Sequence, residues 1–182
     1  MKRLMIALGK RLMILLGVLA CMAMGYVALK ELFIYYGNRP LSAAGTLHSQ
    51  TVDEKESSLQ FIRTTHESLN AFLNFGKADS YTEGDWKNLK QWFQEQEPAL
   101  KEFPNLLRDT KLKNDTTRAY EALKLGVDKS NIQLVIYGHR IYHDLDILVN
   151  QYSLETNIWH YTEFEKQENV KIVEGAIQSA SQ

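Results

Sequence analysis

The chain has 182 residues, 45% hydrophobic and 24% charged, with a net charge of −1. From Asn38 onward 16 Lys and Arg stand against 21 Asp and Glu, a net −5 with no run of cations to displace the counterions of a polyanion, which excludes a nucleic-acid role. The single cysteine, Cys21, excludes an intrachain disulfide, a thiolate zinc site and C-x-x-C redox chemistry, while the residues beyond the apolar start are enough for one domain with its own core.

Residues 1–11 carry Lys2, Arg3, Lys10 and Arg11 and no acid. Leu12 to Leu29 then runs for 18 residues without a charge. At about 1.5 Å per residue a helix there reaches roughly 27 Å, and continuation to Tyr36 covers the ~30 Å hydrocarbon core of a bilayer. The expectation is a transmembrane helix over 12–36. Lys30 would snorkel near one end, and Tyr26, Tyr35 and Tyr36 suit the interface. The cationic flank makes residues 1–11 a cytoplasmic stub and places the rest outside the cytoplasm, as in bacterial single-pass envelope proteins.

Two other readings compete with this signal anchor. A cleaved export signal would end near Ser42-Ala43-Ala44, but its apolar part is ordinarily shorter. Val18-Leu19-Ala20-Cys21 resembles a bacterial lipobox with Cys21 as the acylated residue, but the chain stays apolar beyond Cys21, where a lipoprotein passes into a polar tether. Gly17, Cys21 and Gly25 recur every four residues and form a ridge on which another membrane helix could pack; small residues are also ordinary filler in such helices. So short a stub leaves any message to the cytoplasm to another membrane protein.

Residues 37–50, mixing Pro, Gly, Ser and Ala, read as a linker, with His48 solvated in it. Helical periodicity begins in the domain 51–182. Leu59, Ile62, His66, Leu69 and Leu73 share one face, Asp53, Glu54 and Glu56 load its first turns with acid, and Gly76 ends it. A second helix starts at the capping-box match Thr82 to Asp85 and carries Trp86, Leu89, Phe93, Gln96, Leu100, Phe103 and Leu107 on one stripe, with Pro98 and Pro104 expected to kink or segment it. Asn114 to Thr117 offer caps for a third, longer helix running through Leu145 to Tyr152, with Gly126 or Gly138 as points of bending. Ile158 to Ile177 fit either a fourth helix or a β-hairpin turning at Lys166 to Asn169; the groove left by three helices favours the helix.

Chemistry is sparse. His139 and His143 lie four apart and could face one metal, with His66 or His160 delivered from other helices and Asp144 or Asp146 nearby. No H-E-x-x-H and no paired E-x-x-H accompany them, so the alternative is that His139 and His143 lie on a partly exposed edge beside Tyr142 and that His66 is a hydrogen-bonded core residue. A core histidine also invites a pH-sensing reading. No G-x-S-x-G, phosphate loop or cofactor motif occurs. Trp92 becomes a partner surface if it lies off the Trp86-Leu89-Phe93 stripe, and a core residue otherwise.

The resulting expectation is a mainly α chain: one transmembrane helix followed by a small extracytoplasmic bundle of three to four helices. It would need no cofactor and act by binding another membrane or envelope protein, or a second copy of itself. A metal-dependent envelope enzyme using the histidines is the rival class.

Overall fold

The computed structural model describes residues 25–26, 53–73, 76–150, 152, 158–165 and 167–182. The chain divides into two units, Met1–Arg39 and Pro40–Gln182. In the first, Gly25 and Tyr26 are helical; the rest of the expected stub, the membrane helix over 12–36 with Gly17 and Cys21, and the linker over 37–50 lie outside the described residues. Among the described residues no helix is long and apolar enough to cross a membrane.

Among the described residues the second unit holds five α-helices rather than the expected three to four: α1 Glu56–Leu73, then a 3₁₀ turn Lys77–Ser80, α2 Glu83–Leu106, α3 Thr110–Asp128, α4 Ile132–Asn150 and α5 Val170–Ser181. In α1, Ile62, His66 and Leu69 are buried as their spacing requires, while Leu59 and Leu73 are half-buried. Gly76 takes φ 70° ahead of the 3₁₀ turn, a left-handed conformation that only glycine adopts without strain. The capping box at the start of α2 forms as expected. Thr82 accepts from the Asp85 backbone N–H, and Asp85 accepts from the Thr82 N–H. Hydrogen bonds donated by the Thr82 hydroxyl and the Thr82 N–H, with Lys77 beside them, hold the Asp85 carboxyl down at about 2. Pro98 and Pro104 do not segment the arm; α2 is one helix that buries Leu89, Phe93, Leu100 and Phe103. Each proline removes one backbone donor, and this buried stripe outweighs the loss.

The long third helix is two. α3 starts earlier than Asn114, at Thr110, because the Asp109 side chain accepts from the N–H groups of Lys111 and Leu112. It ends at Asp128. Ser130 turns left-handed at φ 52°, and the Asn131 side chain accepts from Gln133 and Leu134 to open α4. The glycines do not bend the chain. They let the two helices approach: a Cβ at Gly138 would stand 2.6 Å from Leu123 Cγ, and one at Gly126 would stand 2.8 Å from Val135 Cγ2. α4 is apolar on more than one side and packs against α3, α1 and α5, as a central helix should.

The hairpin alternative fails, and there is no strand among the described residues. Two buried aspartates explain why. Asp144 of α4 accepts from the N–H groups of Trp159 and Tyr161, each at 2.8 Å, and Asp115 of α3 accepts from those of Glu163 and Phe164 at 2.8 and 3.0 Å. Donors that a β-ladder would have used are thus held by helix side chains. The favoured helix from Ile158 is also corrected: residues 158–165 are not helical, the segment turns over Glu163–Glu165, and the helix, α5, begins only at Val170, with Val170 and Val173 buried.

Candidate functional site: a histidine cluster between α1 and α4

The three histidines singled out by sequence do meet. Ile62 and Leu69 bury one face of α1 against α4, which carries His66 inward to where His139 and His143 project one turn apart. Ring centroids are 5.6 Å apart for His66 and His139, 4.9 Å for His66 and His143, and 6.2 Å for His139 and His143. His66 is 3% exposed and His139 9%. The expectation of a partly exposed edge beside Tyr142 is therefore corrected: Tyr142 is fully buried, His139 lies with it, and only His143 is half-buried.

Their nitrogens are engaged in a chain of hydrogen bonds. His66 Nδ1 donates to Asp146 Oδ2 at 2.7 Å, Asn70 Nδ2 donates to His66 Nε2 at 2.9 Å, and His139 Nε2 donates to Asn70 Oδ1 at 2.8 Å. Asp146, 1% exposed, also accepts from Asn150 Nδ2 at 2.7 Å and from the Tyr152 hydroxyl. Asn150 in turn donates to the Leu59 carbonyl and accepts from Arg63, so the carboxylate anchors α1 at two levels. Burial pushes the Tyr152 hydroxyl above its ordinary range, reinforced by the Asp146 charge, so it remains a donor.

Burial holds His139 well below 6.5, and His66, His143 and Arg140 add to that effect. His143 is also lowered by burial, with Asp144, 3.5 Å from its Nδ1, pulling the other way. Outside the rings, Trp159 stacks on His143 at 4.0 Å and Arg140 lies over Trp159 and Tyr161, donating to the Tyr161 hydroxyl at 2.7 Å. His160 is not part of the cluster. It adopts φ 59° and pairs with Glu165.

The arrangement does not converge on a cation. Among the described residues, no three His, Cys, Asp or Glu side chains stand where they could hold a metal ion, and both nitrogens of His66 already face protein partners. The second buried ionic group, Asp115 with Arg118 and Glu163, is likewise turned inward, onto the backbone of the 163–164 segment. Burial pushes the Asp115 carboxyl up to about 6, against two backbone N–H groups and the Arg118 guanidinium. Arg118 opposes its own burial through Asp115 and Glu163, which hold its charge above the ordinary range. Trp92 is half-buried, its ring 5.6 Å from Phe72 of α1, so only part of it faces outward.

Asn70, the centre of the chain of hydrogen bonds, carries no signature in the sequence. A clue was its place one turn after His66 on the same face. No protein-family model, no curated protein and no solved structure matches the chain.

Proposed function

We propose that this chain is a membrane-anchored, extracytoplasmic protein-binding module, an accessory, regulatory or inhibitory subunit of an envelope complex. The observation that carries the reading is that His66, His139, Asp144 and Asp146, brought together inside the bundle, are engaged by one another, by Asn70 and by backbone. Groups that could have done chemistry hold helices together, and the outer surface is left to act. The uncharged run from Leu12 to Leu29, with four cations and no acid before it, supports retention in a bilayer with the bundle exported. The net −5 from Asn38 onward favours a basic partner surface.

Protease digestion of intact and of opened cells, combined with photo-crosslinking from position 92, tests this. The bundle should be cut from outside in intact cells, and the crosslinker should capture one reproducible membrane or envelope protein, or a second copy of the chain. A bundle cut only after the cells are opened, or a mature chain found free in the medium with its start beyond residue 40, would overturn it.

A further inference from the structure

An amide has one donor arm and one acceptor arm, and each arm of Asn70 faces a ring nitrogen: Nδ2 meets His66 Nε2 and Oδ1 meets His139 Nε2. Only one of those two nitrogens can therefore carry a proton toward it. In the neutral pair that proton is on His139. If His66 gains a proton at Nε2, the amide can turn over and His139 can move its own proton to Nδ1, so one added proton is accommodated and Asp146 balances it across 2.7 Å. A second added proton puts an N–H on both sides, and no orientation of the amide accepts both. The donor left facing a donor is buried, where such a group cannot find water without the helices parting.

We propose that His66, Asn70 and His139 form an acid-releasable latch between α1 and α4, which holds with up to one proton added to the pair and lets α1 go when a second arrives. The surroundings give that second charge no compensation. Asp146 and Tyr152 face His66, and Arg63 lies on the Tyr152 side of it. Asp144 and Asp146 face His143, whereas His139 faces His66, His143 and the cationic Arg140. From the 158–165 segment Trp159 presents its ring, and His160 is paired with Glu165. The Asp115–Arg118 pair of α3 is turned toward Glu163 and the backbone of Phe164.

The direction with pH follows from proton counting. A histidine held below its ordinary value binds fewer protons folded than unfolded, so the docked state is fully favoured above about pH 6.5 and loses ground as pH falls below it. Asp115, raised to about 6, has the opposite sign: it favours the folded state as pH drops toward 4. It acts on the α3 contact to residues 163–164, so the readout has to be local to α1.

Amide hydrogen exchange of the full chain in detergent micelles, corrected for intrinsic rates, gives that readout. Between about pH 7.5 and pH 5, protection of Glu56–Leu73 should fall by up to about 30-fold relative to α3, through His139 held neutral in the docked state. Asn70→Asp supplies two acceptor arms, accepts from both rings and should remove most of that fall. Equal changes in α1 and α3 in the unaltered chain, or an Asn70→Asp chain with the same α1 fall, would overturn the latch. The comparison of α1 with α3 in the unaltered chain decides the matter by itself if the variant does not fold.

Discussion

α4 meets its two main neighbours in opposite ways. Against α3 the contact is apolar and close, with Gly126 and Gly138 admitting Val135 and Leu123 to distances that a Cβ would forbid. Against α1 the apolar contact of Ile62 and Leu69 is joined by a polar one, a line of hydrogen bonds from Asp146 through His66 and Asn70 to His139. Close apolar packing has no titrating part, so its strength is the same at any pH. A buried polar chain is directional and holds only while every donor faces an acceptor, which makes it conditional on protons. One helix thus carries a permanent contact on one side and a conditional one on the other.

The largest effect should come from breaking the permanent side. Leu123→Ala removes a fully buried side chain from the α3 and α4 contact and should lower stability by about 2–5 kcal/mol in urea unfolding, with the same loss near pH 7.5 and near pH 5. A loss that grows in acid would show that the contact is not the pH-independent one. Gly138→Ala, a smaller change, should cost about 1–3 kcal/mol, because its Cβ would meet Leu123 Cγ at 2.6 Å and the Ala119 carbonyl at 3.1 Å. Since alanine is the better helix former by about 1 kcal/mol, an unchanged or raised midpoint would mean that the helices separate to make room and that their close approach contributes little.

Much of this architecture can be read from the chain. The 3, 4, 3, 4 steps from Leu59 to Leu73 mark α1, and Thr82 with Asp85 marks the start of α2, because both signals lie within a few residues of one another. The break between α3 and α4 was legible only in part: Lys129, Ser130 and Asn131 contain neither Pro nor Gly, and the Asn131 cap competes with a continuous apolar stripe for attention. Pro98 and Pro104 misled in the other direction, since burial along α2 overrides the local penalty. The fixing of the 158–165 segment by Asp115 and Asp144 has no local signature, because the Asp115 acceptor lies 48 and 49 residues from its donors. The convergence of three histidines was readable from residue type and spacing. That Asn70 stands between two of them, closing the group on itself, depended on the angle at which α1 crosses α4, which spacing within one helix does not encode.

The titration of His139 in the intact chain tests the conditional contact most directly. With the full chain in detergent micelles and its histidine rings isotopically labelled, NMR should find His139 neutral to well below pH 6.5 for as long as α1 is docked, and its protonation should coincide with loss of the His66 ring contact. A His139 ring that takes up its proton near 6.5 while His66 keeps its place beside it would contradict the account.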